Sequence, residues 1–146
     1  MLIRGRCHCG NIEFSLRWEP DPSRIPARAC DCSFCTRHGG VWTSHPDASL
    51  RIALHDPARV SRYAFGTRTA DFLVCAHCGV VPVAVSRIEG RRYAVVNVNT
   101  FVGIEPSLLQ RVSSHLGEES RDARLDRRSK NWIADVEYVD EGEWEA

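Results

Sequence analysis

The residues of this chain most able to do chemistry are its seven cysteines. They fall into three groups: Cys7-His8-Cys9-Gly10, Cys30-Asp31-Cys32-Ser33-Phe34-Cys35 and Cys75-Ala76-His77-Cys78-Gly79. An odd number cannot pair completely as disulfides, and sulfurs spaced two or three residues apart are placed to share one metal ion. In the first and third groups a glycine follows the second cysteine. There the backbone can turn at positive φ and aim amide N–H groups at the sulfurs. The two hooks, Cys7 with Cys9 and Cys75 with Cys78, together supply the four thiolates of a closed, tetrahedral structural zinc. Such a site ties the start of the chain to a distant segment, and closing a long loop with metal stabilises a small β domain.

The middle group offers Cys30, Cys32 and Cys35 and leaves no further cysteine to complete a tetrahedron. Three protein ligands and one open position is how catalytic zinc sites are built. The alternative is a closed site in which His38, three residues past Cys35, is the fourth ligand, with His45 less well placed to serve. An iron–sulfur cubane usually takes a fourth cysteine and wider spacing. His8 and His77 sit inside the hooks, where the intervening side chain points away from the metal, and are expected at the surface.

These groups need rigid elements to hold them. Ile12, Phe14, Leu16 and Trp18 alternate with Glu13, Ser15 and Arg17, the pattern of a strand with one buried face, directly after the first hook. Beyond Pro20, Pro22 and Pro26, an extended Ile25 to Ala29 leads into Cys30, placing the second group at a strand end or loop. Leu50 to Leu54, Val60 to Phe65 and Ala70 to Val74 read as further strands, the last running straight into Cys75. Val80 to Ile88 and Tyr93 to Asn99 flank Glu89-Gly90-Arg91-Arg92, where Gly90 supplies the positive φ of a tight hairpin. Pro106 to Leu116 is predicted to be a helix, with proline near its start, Leu108, Leu109 and Val112 on one side and Gly117 as the stop. Glu118 to Lys130 reads as a solvated loop or a short polar helix, followed by a return to apolar residues from Trp132 to Val139. The fold class expected is mainly β with at most one or two short helices, in one domain spanning residues 1–146.

Composition narrows the partners. Lys plus Arg equals Asp plus Glu at 19 each, which leaves no electrostatic footprint for nucleic acid or an acidic membrane surface. No segment is apolar for long enough to span a bilayer and none near Met1 resembles a signal peptide, so a soluble, cytoplasmic protein is expected. Clustered thiols in a reducing compartment favour metal over disulfide bridges.

Gly5-x-Cys7-His8-Cys9-Gly10-x-Ile12-x-Phe14, then Cys30-x-Cys32-Ser33-x-Cys35, then Cys75-x-x-Cys78-Gly79 closely resembles the glutathione-dependent formaldehyde-activating enzyme family, whose domain also occurs in centromere protein V. Tyr63-x-Phe65-Gly66, Asn97 and Asn131-Trp132 extend the resemblance over essentially the whole chain. It implies a zinc-bound β-tent of layered antiparallel sheets and two zinc ions. Cys7, Cys9, Cys75 and Cys78 would hold the structural ion and Cys30, Cys32 and Cys35 the catalytic one. The chain departs from the pattern at Val80 and Val81, where the family often has threonine or serine and an aromatic. It departs again at Arg127-Arg128-Ser129-Lys130, where an Asp-Gly commonly precedes Asn-Trp.

Three thiolates leave a zinc complex with net negative charge, a weak activator of water but a ready acceptor of a fourth, incoming thiolate. The expected activity is therefore that of a carbon–sulfur lyase. A small thiol, glutathione by resemblance, would bind at the three-cysteine zinc and add to an aldehyde, formaldehyde by resemblance, or the adduct would be cleaved in reverse. Arg28 and Arg37 flank the group closely enough to meet a carboxylate of such a thiol. The rival expectation is a non-catalytic zinc module with two structural ions that binds another protein.

Overall fold

The computed structural model describes residues 1–139. In chain order it contains β1 (Leu2–Arg6), β2 (Ile12–Arg17), β3 (Ile25–Cys30), helix α1 (Ser33–His38), β4 (Val41–Thr43), β5 (Ser49–Leu54) and β6 (Val60–Tyr63). There follow β7 (Ala70–Cys75), β8 (Val83–Ile88), β9 (Arg91–Asn97), β10 (Phe101–Val102), β11 (Leu109–Ser114), helix α2 (Arg121–Asn131) and β12 (Asp135–Val139). Five strands form one sheet in the order β10-β1-β2-β5-β12, and seven form a second in the order β11-β3-β4-β9-β8-β7-β6. The mainly β expectation holds.

Alternation of side chains decides how the sheets stack. In β2, Ile12, Phe14 and Leu16 are fully buried while Glu13 and Ser15 are only half-buried, so one face of the five-stranded sheet points inward. It meets Leu73, Val83, Ala94 and Val96 of the seven-stranded sheet in one core. The alternate residues on these strands, Phe72, Ala84 and Val95, face the other way and join Cys35, Trp42 and Trp132 in a second apolar cluster. The seven-stranded sheet is thus covered on both faces, and its outer face carries the site described below. Phe14 is packed so closely over Gly5 that a Cβ there would lie 2.1 Å from the ring, which is why this strand position takes glycine.

The β8–β9 hairpin turns through Glu89 at φ 51° and Gly90 at φ 79°, so both central residues, not Gly90 alone, adopt the left-handed conformation that matches strand twist. Two expectations need correction. The predicted helix over Pro106 to Leu116 is a 3-10 turn at Pro106–Leu108 followed by strand β11. Here Leu108 and Leu109 pack on the core at the edge of the sheet, and the backbone of β11 pairs with β3, Ser114 lying opposite Cys30. That long-range pairing outweighs a helical spacing of only three apolar residues. The sheets are also not wholly antiparallel, because β11 runs parallel to β3 and β12 parallel to β5. Of the segment left between loop and helix, Arg121–Asn131 is helical, N-capped by Ser120, whose hydroxyl accepts from the Ala123 amide at 3.2 Å. Among the described residues no helix is long and apolar enough to cross a membrane.

Candidate functional site

The first and third cysteine groups meet at one end of the stacked sheets. Cys7 ends the β1 side of the first hook and Cys75 is the last residue of β7. Their hooks turn at Gly10, with φ 86°, and Gly79, with φ 83°. The sulfurs of Cys7, Cys9, Cys75 and Cys78 all lie within 4.8 Å of one another. Cys7 Sγ is 3.8 Å from Cys9 Sγ, which is 3.5 Å from Cys75 Sγ. Four sulfurs around a tetrahedral zinc are spaced about 3.8 Å apart, given a bond of about 2.3 Å, so the cage fits that ion. The Ile12 amide donates to Cys7 Sγ at 3.2 Å and the Cys78 amide to Cys75 Sγ at 3.4 Å, as hooks of this type require.

Charge supports the same fit. Burial pushes the Cys7 thiol up to about 12. Cys78 is opposed by its own, slighter burial, but amide hydrogen bonds from Val80 and Cys9 and sulfur hydrogen bonds from Cys75 and Cys7 bring it down to about 6. Four crowded thiols, two of them fully buried, cannot all ionise without a cation among them. None of the seven cysteines is paired in a disulfide.

The middle group is built where β3 passes into α1. Cys30 ends the strand, Cys32 is the N-cap of the helix and Cys35 lies in its first turn, where its amide donates to Cys32 Sγ at 3.4 Å. The helix stops after one and a half turns at Gly39, whose φ of 72° is left-handed. The three sulfurs lie within 4.8 Å of one another. Trp42 Nε1 donates to Cys35 Sγ at 3.3 Å. The hydrogen bond from Cys35 draws the Cys30 thiol down to about 6, and the same bond, with burial, pushes Cys35 far above the thiol range. The donor set is again soft, anionic when ionised and suited to zinc.

No other His, Cys, Asp or Glu among the described residues brings a ligand atom into this set. The ring of His38 meets Phe34 at a tilt, 4.4 Å between centroids, and the edge of Trp42 at 6.2 Å, and burial holds its pKa below the ordinary value. His45 packs at a tilt against Trp18 and accepts from the Asp47 amide. Among the described residues, neither histidine therefore joins the three sulfurs. Asp31, inside the group, points away to pair with His115 at 2.6 Å. His8 is exposed, and His77 faces Arg59 at 3.4 Å; neither joins the four-sulfur cage.

Cys30, Cys32 and Cys35 border a cavity of about 470 Å³ on the outer face of the seven-stranded sheet. Its apolar wall is made by Trp42, Phe65, Phe72, Ala84, Val95 and Trp132. Its cationic wall is made by Arg28, Arg124, Arg127 and Arg128. Of the two arginines singled out in the sequence, Arg28 lines the cavity. Arg37 does not: its guanidinium is exposed and donates to the Ser33 carbonyl at 2.9 Å. The arginines of α2 were missed, although 124, 127 and 128 recur at the three- and four-residue spacing of one helix face, a signal visible once that segment is read as helical.

The model of the family described as "Glutathione-dependent formaldehyde-activating enzyme" matches residues 2–113, a span that includes all seven cysteines and ends before α2. No curated protein matches the chain. Among solved structures, the crystal structure of a Rhodobacter sphaeroides protein is similar, with 28% sequence identity, a TM-score of 0.53, and coverage of 93% of this chain and 99% of that one. With the family match over most of its length and both sulfur clusters assembled, this chain belongs to the glutathione-dependent formaldehyde-activating enzyme family.

Proposed function

We propose that the protein is a zinc-dependent carbon–sulfur lyase of the reducing cytoplasm, acting on adducts of a small thiol, glutathione by family, with an aldehyde such as formaldehyde. In this reading Cys7, Cys9, Cys75 and Cys78 hold a structural zinc, and Cys30, Cys32 and Cys35 hold the zinc that meets substrate. The observation that carries it is a set of three sulfurs with no fourth side-chain donor among the described residues, opening on a cavity of about 470 Å³. That volume falls in the range that suits a small-molecule ligand. When bound there, zinc supplies a soft Lewis acid that lowers the pKa of an incoming thiol while leaving its sulfur nucleophilic.

The chain's own residues do the rest. Trp42, Phe72 and Trp132 exclude water from one side of the cavity, which strengthens every charge interaction inside it. The arginines on the other side set a positive field that favours the thiolate, and favours the oxyanion formed when that thiolate attacks a carbonyl. In the addition, a C–S bond forms and the C=O π pair moves to oxygen, which takes up the proton the thiol gave away. Cleavage is the reverse. Exchange NMR of the zinc-supplemented protein with glutathione and formaldehyde should show adduct formation well above the uncatalysed rate, and Cys32→Ser should abolish the excess. An exchange rate equal to the protein-free rate would instead favour a non-catalytic zinc module.

A further inference from the structure

The four arginines of the cavity wall are not equivalent. Arg127 is spent on a two-toothed ion pair with Glu119, its Nε and Nη2 lying 3.0 and 2.8 Å from Oε1. Arg124 shares the same carboxylate at 3.8 Å and donates to the carbonyls of Leu116 and Gly117 at 3.0 and 3.1 Å. One carboxylate thus serves two guanidinium groups. Among the described residues, none stands within ion-pair distance of Arg28 or Arg128. Arg28 makes only a long contact of 3.5 Å to the Ser44 hydroxyl.

Arg128 is the sharper case, because it is a charged side chain only 8% exposed. Its Nη1 is anchored by two hydroxyls, Thr69 Oγ1 at 2.8 Å and Ser86 Oγ at 3.2 Å, and its guanidinium carbon lies 4.7 Å from the ring centroid of Trp132. Those contacts fix the plane of the group but bring no negative charge. Its Nε is buried without a hydrogen-bond partner. The edge left uncommitted carries Nε and Nη2, two parallel donors spaced to match the two oxygens of a carboxylate. A buried cation with a donor left unpartnered on that edge costs stability unless an anion completes it.

We infer that Arg128, assisted by Arg28, is the receptor for a carboxylate of the thiol substrate, so that the cavity selects thiols bearing an acid group over neutral thiols. The inference rests on the thiol site proposed above and adds a positioning residue to it. The sulfur end is held at Cys30, Cys32 and Cys35, the acid end at Arg128, and the carbon chain between them lies along Trp42, Ala84 and Val95. Because Arg128 belongs to α2, this selectivity resides beyond residues 2–113 matched by the family.

The test is calorimetric binding to the zinc-supplemented protein of 3-mercaptopropionate against its amide, and of S-methyl-3-mercaptopropionate against its amide. The S-methyl pair reads the acid receptor without an ionisable thiol, so failure of the thiol site and failure of the receptor are distinguishable. The acid should be preferred roughly 10- to 100-fold in both pairs. Arg128→Gln should bring the preference close to unity, Arg128→Lys should restore only part of it because an ammonium lacks the fork, and Arg28→Gln should reduce it less. No preference in the wild-type protein, or a preference kept in the Arg128 and Arg28 variants, would overturn the inference. If Arg128→Gln does not fold, the absence of a preference in the wild-type protein still overturns the inference, and Arg128→Lys, which keeps the charge and removes the fork, still tests the role of Arg128.

Discussion

Two pairs of cysteines, matched in burial, should differ sharply in what they do for stability. Cys75 and Cys35 are 0% and 3% exposed, and Cys78 and Cys32 are each half-buried, so replacing either pair by serine removes the same sulfurs from similar surroundings. What differs is the length of chain that a metal in each cluster would close. The hook cage joins Cys9 to Cys75 across 66 residues, whereas Cys32 and Cys35 are separated by three. In the chain-entropy description of a cross-link, closing 66 residues removes about 4 kcal/mol of unfolded-state freedom and closing three about 1.6 kcal/mol. The double variant Cys75→Ser, Cys78→Ser should therefore be less stable than Cys32→Ser, Cys35→Ser by about 2–3 kcal/mol. For a chain of this size that is a gap of about 7 °C in Tm. Thermal unfolding of both proteins with zinc in slight excess measures it directly, and the same scans with a chelator should remove most of the gap. Equal losses, or a larger loss from the Cys32 and Cys35 pair, would refute the division of labour between the two sulfur clusters.

The hydrogen bond from Trp42 Nε1 to Cys35 Sγ would orient a metal ligand in the proposed site, so Trp42→Phe should lower zinc affinity there about 10-fold in a competition titration, and unchanged affinity would count against that role. Glu119 is held below its ordinary pKa of 4.5, first by its hydrogen bonds from Arg127. A carboxylate depressed in the folded state adds stability above its unfolded pKa and loses it as pH falls through the folded value. Glu119→Gln should accordingly cost about 1 kcal/mol at neutral pH, and the difference from wild type should close as the pH drops below 4.5; a pH-independent difference would show that packing, not charge, is at stake.

Much of the scaffold could be read locally. The alternation from Ile12 to Trp18 gave the buried face of β2, and the Glu89-Gly90 turn joined β8 to β9 as expected, because strand faces and tight turns are written in adjacent residues. Both sulfur clusters were legible from spacing alone, with Gly10 and Gly79 turning as the hooks demand. The failures share a cause. Leu108, Leu109 and Val112 look helical in isolation, and only the distant backbone of β3 draws Leu109 and Val112 into a strand after a 3-10 turn that ends at Leu108. Helix α1 is too short for an apolar period to develop. Its signals were the acceptor sulfur at Cys32, the Arg37-His38 pair in its last turn and the left-handed Gly39. Arg128 was passed over because a charged residue in a charge-rich stretch reads as solvated, and nothing local says that Thr69 and Ser86 will enclose it.

The cavity draws its three sulfurs and Arg28 from one stretch of chain and its other guanidinium groups, those of Arg124, Arg127 and Arg128, from another far downstream. Mutation can therefore reach either side alone. Exchanging side chains along one face of α2 would retune which molecules are admitted while every thiol stayed in place. A lineage that keeps all seven cysteines is free to drift in diet without rebuilding its reactive centre.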